Sequence, residues 1–477
     1  MVNQFNVVIG IEVHIVLNTK SKMFSYSKNC HNDPVNTNIW PIDLGHPGTM
    51  PLPNEECIKK GVILAHALGM QIASKIRFDR KNYFYQDLPK GFQITQNYNP
   101  IGVNGFINID NNQSVSIERI HLEEDTAKQF IEDNKVFLDY NRSGLPLIEI
   151  VTNPVIKSAK DAACFLKKLR RILIFNNISD AKLEDGSMRA DINISVNHKL
   201  SDKFGTRVEI KNINSISNVE KAIDYEIDRQ IKCILSNKII NQETRKFNDK
   251  KNITEFMREK AGILDYHYMI EPNIFIRNIS KEFVELAIKN NYQNVYEIEK
   301  QLINKNISWE FVNILLDDIN IYKAFLFIND IVKNENEVVK WLCIELIGLI
   351  SKENKTLLDI HQDKLKRIAL MINLLIENKI NGKQAKEILK IIYSTNCDLD
   401  EIIEKNNFKQ ITDEKIIEPI LSKLLLVNQN MINQYESRPE RVEKFFIGMV
   451  MKETNGQANP DVTSRILKKI LNNKKDN

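Results

Sequence analysis

Apolar and polar residues alternate with a period of two in the first part of the chain and follow a helical period later. The alternation predicts strands at 6–17, 105–109, 115–121, 146–151, 189–196 and 206–212. Helical spacing predicts helices at 54–69, 158–175 and about 217–235. Asn54 and Ser158 precede two of these helices and are good N-cap residues. Beyond about residue 290, long amphipathic segments predict helices almost throughout.

Glycine and proline divide the chain in the same way. Twelve of the 16 glycines lie at or before Gly262, and ten of the 13 prolines lie at or before Pro272. Because these residues form turns, their distribution predicts an α+β first part with tight connections and an all-α remainder.

The first predicted strand carries two polar side chains, Glu12 and His14, within an apolar run. Residues two apart face the same side of a strand, so these two side chains project together while Ile11, Val13 and Ile15 enter a core. A carboxylate is costly to bury without a partner. This face is therefore either a solvated sheet surface, a wet cavity or a metal site, and the strand alone does not decide between them.

Two further acidic segments have the same ambiguity. Glu123 and Glu124 follow His121, and the strand containing Arg189 and Asp191 has one polar face. Each segment alone is typical of a surface turn or an exposed sheet face, and the second also of a polar cleft. Taken together, Glu12, His14, Glu124 and Asp191 offer hard oxygen ligands and one imidazole, which suits Mg²⁺ or Mn²⁺ better than structural zinc.

Candidate phosphate contacts lie near residue 80. Arg80 and Lys81 stand beside Tyr83, which predicts either a packed aromatic turn or a phosphate contact by Lys81. Glu149 lies inside an apolar run and is interpreted as a buried, paired carboxylate with a structural role. The alternating strand with Arg207, Glu209 and Lys211 on one face allows either internal ion pairs or a substrate contact.

Composition limits the class of protein. The net charge of +4 neither requires nor excludes nucleic acid. The six cysteines contain no CxxC pair, which argues against disulfides and against a cysteine zinc site. No signal peptide or membrane-spanning run is found, so we expect a cytoplasmic protein without a membrane. Phosphate-loop, dinucleotide, HExxH, kinase and GxSxG signatures are absent from the sequence.

An ordered set of motifs resembles the B subunit of aspartyl/glutamyl-tRNA amidotransferase, the GatB family. The resemblance covers essentially the whole chain, and the ordered set is specific although each motif alone is weak. The matching segments are 9–14, 17–24, 78–85, 121–125, 141–150, 186–193, 209–215, 242–245 and 456–460.

The resemblance implies a carbon–nitrogen ligase that acts in protein biosynthesis with glutamine as the amido donor. The family's B subunit uses ATP and Mg²⁺ to phosphorylate the side-chain carboxylate of misacylated Glu-tRNA(Gln) or Asp-tRNA(Asn). Ammonia released from glutamine by the A subunit, an amidase, then displaces phosphate, and a small C subunit completes the heterotrimer. An acyl phosphate is a good leaving group, and a closed site protects it from water.

The resemblance also implies site residues and domains. Metal binding maps to Glu12, His14, Glu124 and Asp191, and catalysis to the same residues with Glu123 and Lys81. Nucleotide contacts are expected from Lys81, Arg80 and Arg189. The implied architecture is a cradle-like α+β domain with the ATP–Mg site (1–290), a helical domain (291–405) and a small, helical, tRNA-binding tail (406–477).

One departure from the family concerns zinc. Many members bind zinc through cysteine pairs near the N-terminus, where this chain has Ser25, Ser27, Trp40 and Asp43. Cys30 alone cannot form such a site. We therefore expect no zinc, with packing around Trp40 in its place.

Two other functions compete with the leading interpretation. One is a stand-alone metal-dependent hydrolase that uses the same Glu, His and Asp residues. The other is an RNA-binding adaptor whose active site has decayed, and the intact acidic set argues against it.

Overall fold

The structure is a computed structural model that divides into two compact units, Met1–Ile298 and Glu299–Asn477. The boundary lies within a helix. The described residues are 4–110, 113–201, 203–259, 266–353, 355–406, 408, 411, 413–435, 437–454 and 456–473.

The first unit is built around strands. They are β1 Phe5–Val16, β2 Gln71–Ile72, β3 Lys75–Ile76, β4 Asp79–Asn82, β5 Phe92–Thr95, β6 Gly102–Asn108, β7 Ser114–Glu124, β8 Lys128–Glu132, β9 Lys135–Asp139, β10 Pro146–Thr152, β11 Met188–His198, β12 Val208–Lys211, β13 Glu243–Asn248, β14 Ile253–Glu259, β15 His267–Ile270 and β16 Arg277–Asn278. The helices of this unit are α1 Glu55–Ala67, α2 Ala159–Phe175, α3 Ile216–Leu235 and α4 Lys281–Asn291, and α5 Val295–Asn304 crosses the boundary.

Nine strands form one mixed sheet in the order β14-β13-β12-β11-β1-β10-β7-β6-β2. Only the β12–β13 pair among these is parallel. β1 lies between β10 and β11, with His14 opposite Glu149 on one side and Arg189 on the other. Three strands that are distant in sequence therefore bring polar side chains to adjacent positions on one face.

The opposite face of the sheet is the core of the unit. Ile11, Val13 and Ile15 are fully buried there, as the alternation predicts. They join one apolar cluster with residues of α1, α2 and α3. Ser158 caps α2 by accepting a hydrogen bond from the backbone N–H of Asp161 (3.1 Å). Burial of this face by helices leaves the Glu12–His14 face available for a site.

A short 3₁₀ helix, Pro41–Leu44, corrects the prediction of packing around Trp40. Trp40 is 47% exposed, whereas Asp43 is buried. The carboxylate of Asp43 accepts hydrogen bonds from Lys22 Nζ (3.3 Å), Ser25 Oγ (3.2 Å) and the Trp40 backbone N–H (2.9 Å). A buried charged residue, rather than an aromatic ring, therefore organises this segment.

The second unit is helical over its described residues. Its helices are α6 Trp309–Asp317, α7 Ile319–Val332, α8 Glu335–Val339, a π-helical turn Lys340–Leu346, α9 Ile347–Lys352, α10 Gln362–Ile376, α11 Gly382–Ser394, α12 Leu399–Lys405, α13 Glu414–Val427, α14 Gln429–Ile432, α15 Pro439–Glu453 and α16 Pro460–Asn473. α13, α15 and α16 share a hydrophobic core of their own. Within the described part of the chain, no helix has the length and apolarity needed to cross a membrane.

The predicted fold class, α+β followed by helices, is confirmed. The division into three parts at about 290 and 405 stays a prediction. The predicted basic face of α16 is partly neutralised, since Arg465 pairs with Glu414 (3.0 Å) and Lys468 with Glu443 (3.3 Å). Lys474 and Lys475, also predicted on that surface, lie outside the described residues.

Candidate active site

A cavity of about 940 Å³ opens on the polar face of the large sheet. Its lining includes His14 from β1, Glu123 from β7 and Asp191 from β11. The volume is within the range of known ligand sites, about 300–1,000 Å³. This cavity is the place where the sequence-predicted polar residues meet.

The first group on its wall is the cleft cluster, which consists of His14, His121, Glu123 and Glu149. Nε2 of His14 lies 3.7 Å from Glu123 Oε1 and 3.5 Å from Glu149 Oε2. His121 stands behind them, 3.1 Å from Glu149 Oε2. Ligand atoms of His14, Glu123 and Glu149 lie within 4.8 Å of one another. Ligands of one Mg²⁺ ion lie within about 4.2 Å of each other, so this donor set needs only a small inward movement to hold one.

Protonation of the cleft cluster follows from its mixture of charges. Burial opposes the charged form of His14, but contact with Glu149 and the charge of Glu123 raise the pKa of His14 to about 9. Burial likewise opposes a charge on His121, and the same two carboxylates raise its pKa to about 9. Burial favours neutral Glu149, yet the charge and hydrogen bond of His121 hold the pKa of Glu149 well below its ordinary value. The carboxylates thus retain their negative charge and can bind a cation.

A second acidic group comprises Glu12, Asp191 and Glu209. Glu12 and Asp191 are opposite each other in the β1–β11 register, and Lys211 Nζ bonds to Asp191 and lies 3.5 Å from Glu209 Oε1. Burial, followed by the charges of Glu149, Asp191 and Glu209, raises the pKa of Glu12, while His14 opposes the rise. Lys211 therefore offsets only part of this negative charge.

The arginine pair, Arg142 and Arg189, forms a positive part of the cavity wall. Both guanidinium groups donate to Asp125: Arg142 through Nε (2.6 Å) and Nη2 (3.0 Å), and Arg189 through Nη2 (2.6 Å). Asp125 is buried, and although burial favours its neutral form, the two arginines lower its pKa. The cavity therefore combines acidic and basic groups within one space.

Lys81 lies between the cleft cluster and aromatic rings. Its ammonium group is 4.5 Å from the centre of the Tyr266 ring. Burial would lower the pKa of Lys81, but the charges of Glu123 and Glu149, together with two tyrosines, raise it. Lys81 is thus held as a cation near the acids, as a phosphate contact requires.

Two predicted site residues lie elsewhere. Glu124 follows Glu123 on β7 and therefore faces the other side of the strand. It is bonded there by Lys90 and accepts a hydrogen bond from the Ile94 backbone N–H (3.0 Å). Burial raises the pKa of Glu124, and Lys90 opposes the rise. The structure does not bring Glu124 to Glu12 and His14, so Glu123 takes its place in the cleft.

Arg80 is separated from the cleft for the same reason. It neighbours Lys81 on β4 and faces away from it. Its guanidinium group forms two hydrogen bonds with buried Glu271 (2.6 and 3.1 Å) and lies 4.1 Å from the centre of the Phe92 ring. The predicted nucleotide contact by Arg80 is therefore corrected to an ion pair outside the cleft.

Sequence reasoning missed several residues that the structure brings to the cavity. Glu149, interpreted as structural, belongs to the cleft cluster. Its place beside His14 depends on the pairing of β1 with β10, which no local pattern reveals. Glu209 and Asp125 became visible only through strand order and through the arginines that surround them. The sequence signal for Asp125 was its position beside two acids already singled out.

The comparisons with known proteins agree with this geometry. Residues 7–285 match the GatB/GatE catalytic domain family, and residues 323–471 match the family described as GatB domain. The chain belongs to the GatB family. Similar proteins are aspartyl/glutamyl-tRNA(Asn/Gln) amidotransferase subunits B from Malacoplasma penetrans (strain HF-2), at 60% identity over 99% of this chain and 98% of the relative, and from Ureaplasma urealyticum serovar 10, at 50% over 98% and 99%. The Mycoplasma genitalium protein of the same name is 46% identical over 99% and 98%.

The match to the GatB catalytic domain includes the whole cavity. His14 and His267 are the first and last residues that line it, and both lie within the matched segment. The cleft cluster, the second acidic group and the arginine pair therefore belong to the part of the chain that the family defines as catalytic.

Proposed function

We propose that this GatB-family chain activates the side-chain carboxylate of misacylated Glu-tRNA(Gln), Asp-tRNA(Asn) or both by ATP-dependent phosphorylation. Ammonia derived from glutamine then gives the amide. The observation that carries the proposal is the cleft cluster, whose metal-binding side chains converge in a cavity that also holds cations. Family membership supports the reaction, and the cavity supports its location.

Divalent metal chemistry fits the side chains present. Two carboxylates and one imidazole of the cleft cluster point toward a common centre, and Glu12 and Asp191 provide further oxygen donors nearby. When bound there, Mg²⁺ (or Mn²⁺) would neutralise the charge of the nucleotide phosphates. We propose Glu123 as a ligand in place of Glu124 and Glu149 as an additional one, with His14 retained.

The chain's own residues supply the remaining functions. Lys81 stands beside Glu123 and Glu149 as a cation for a phosphate oxygen. His121 contacts Glu149 from behind and fixes the direction of its carboxylate. Tyr83 and Tyr266 cover this end of the cavity and limit the access of water, which would otherwise hydrolyse an acyl phosphate.

The proposal requires partner proteins. We propose a heterotrimer in which an amidase, the A subunit, releases ammonia from glutamine and a small C subunit is the third member. Because the substrate is aminoacylated tRNA, the cytoplasm is the proposed place of action. We also propose that zinc is absent, since buried Lys22 and Asp43 pair with each other where family members hold the metal.

The end of the second unit is the proposed contact for the tRNA body. Arg438, Arg441 and Lys444 are exposed and line a shallow groove at the start of α15. These cations suit RNA phosphates, and such contacts weaken as salt increases. Deletion of the residues after about 405 should weaken tRNA binding more than it harms the first unit. Unchanged affinity at moderate salt would contradict this role.

Reconstitution tests the proposed function. With the amidase, the small C subunit, glutamine and ATP, the chain should convert Glu-tRNA(Gln) to Gln-tRNA(Gln) with consumption of ATP, and the parallel assay with Asp-tRNA(Asn) defines the substrate range. ATP-independent hydrolysis of a small ester or amide would favour the hydrolase instead. An assembled complex that binds tRNA but forms no acyl phosphate would contradict the proposal.

A further inference from the structure

We propose that the arginine pair binds the side-chain carboxylate of the aminoacyl group, and that Asp125 is the positioning residue that holds both arginines in place. This inference rests on the proposed function and adds to it the group that recognises the acidic substrate. The amide product lacks the charge that the pair recognises.

The first step of the argument is the shape of this site. Asp125 is fixed by the backbone, since its N–H donates to the Leu145 carbonyl and its carbonyl accepts from the Gly144 N–H, both at 2.9 Å. Its carboxylate orients Arg142 through two donors and Arg189 through one. Among the described residues, Asp125 is the one side chain that accepts a hydrogen bond from either guanidinium group. Nη1 of both arginines is therefore available to a ligand in the cavity.

The second step is charge. Two guanidinium groups and one carboxylate leave a net charge of +1, which a monoanion neutralises. Asp87 lies near Arg142 and reduces the local positive charge further. A carboxylate also matches the planar fork of arginine, which binds it through parallel hydrogen bonds. A terminal phosphate with two negative charges is better matched by a metal ion and Lys81 at the cleft cluster.

The third step is location. Arg189 is opposite His14 in the β1–β11 register, so the arginine pair adjoins the cleft cluster. A carboxylate held by these arginines lies next to the proposed phosphate position, as phosphoryl transfer requires. The carboxylate oxygen attacks the γ-phosphorus of ATP, the bond to the β,γ-bridging oxygen breaks, and ADP leaves with that electron pair.

A consequence is discrimination between substrate and product. A hydrogen bond to a charged group contributes about 1.5–3 kcal/mol, which corresponds to about 10- to 100-fold in affinity. The assembled wild-type complex should therefore bind Glu-tRNA(Gln) at least about tenfold more tightly than Gln-tRNA(Gln) when ATP is absent. Arg142→Gln should bind the two tRNAs almost equally.

Kinetics of the complete complex provide the second measurement. Arg142→Gln should raise KM for Glu-tRNA(Gln) about tenfold or more and leave KM for ATP within about twofold of wild type. Arg142→Lys keeps the charge but loses the fork, so its effect should be intermediate. Asp125→Asn should also raise KM for the tRNA, because its weaker acceptor no longer orients both arginines.

Arg277→Gln is the matched control, since Arg277 pairs with Glu55 at the surface, outside the cavity (3.1 Å). It should leave both KM values unchanged. If the wild-type complex makes no Gln-tRNA(Gln), the proposed function fails. If the wild type is active but Arg142→Gln and Arg142→Lys raise KM for ATP instead, or leave the preference for Glu-tRNA intact, the arginine pair does not bind the carboxylate. Thermal unfolding of each variant verifies folding, and Arg142→Lys remains decisive if Arg142→Gln is unstable.

Discussion

Two groups of buried charges lie on opposite faces of the same strands and differ in how their charges are balanced. The cleft cluster faces a cavity and has two carboxylates shared by two histidines. The inner cluster consists of Lys22, Asp43, Lys90 and Glu124, in which each carboxylate has a lysine of its own. Glu123 and Glu124 are adjacent in sequence, yet one belongs to each cluster.

This comparison separates charge used for function from charge used for structure. In the inner cluster, buried carboxylates and ammonium groups satisfy each other, and removal of one partner leaves the other uncompensated. In the cleft cluster, the carboxylates can release the histidine protons and accept a metal ion. We therefore infer that neutralisation of a carboxylate in the cleft reduces activity, whereas the same change in the inner cluster reduces stability.

The largest expected effect is on activity. Glu123→Gln should reduce tRNA-dependent ATP consumption by at least about 100-fold, because a neutral amide is a poor ligand for the proposed cation. Glutamine hydrolysis by the partner amidase should remain measurable. The assay is steady-state ADP release by the assembled complex, and a wild-type rate would remove Glu123 from the proposed site.

The next effect is on stability. Glu124→Gln leaves the charge of Lys90 buried without its partner and should lower the free energy of unfolding by about 3–5 kcal/mol. Denaturant unfolding of the chain measures this loss, with Glu123→Gln as the matched neighbour. Equal losses in the two variants would mean that the two clusters do not differ in the way described here.

A smaller effect concerns metal binding. Mg²⁺ or Mn²⁺ at ten times its dissociation constant should stabilise the wild-type chain by about 1.4 kcal/mol, because only the folded chain presents the cleft cluster. Glu124→Gln should gain the same increment and Glu123→Gln should gain almost none. Thermal unfolding with and without the cation gives both values, and an equal increment in all three chains would place the metal elsewhere.

The smallest change is expected from a double replacement in the inner cluster. Lys90→Met combined with Glu124→Gln removes both charges and keeps an acceptor for the Ile94 N–H. Its stability should return to within about 1 kcal/mol of wild type, since a buried ion pair replaced as a pair is often nearly neutral. A double variant as unstable as Glu124→Gln would show that the ion pair itself, rather than compensation of charge, stabilises this region.

Much of the fold was predictable from the sequence because it depends on local patterns. The alternation around Val13 correctly identified which side of β1 is buried. The cap at Ser158 and the end of α2 at Phe175 follow from residue preferences within one turn. The short strands β2–β5 and the parallel pairing of β12 with β13 had no comparable signal, since they depend on partners distant in sequence.

The candidate site was only partly predictable for the same reason. Extension of the predicted strand 115–121 to residue 124 would have separated Glu123 from Glu124 by alternation alone. Glu149 was harder to place, because an almost continuous apolar run gives no indication of which face its carboxylate occupies. Its function became apparent only when β10 was found beside β1, opposite His14.

The most direct test compares the neighbouring variants Glu123→Gln and Glu124→Gln in one assay. Each is assembled with the amidase and the small C subunit, and ATP consumption dependent on Glu-tRNA(Gln) is measured at a temperature where both chains are folded. The division into two clusters predicts that Glu124→Gln retains activity close to wild type and that Glu123→Gln loses it. An active Glu123→Gln complex beside an inactive Glu124→Gln complex would contradict the assignment of the cleft cluster as the phosphorylation site.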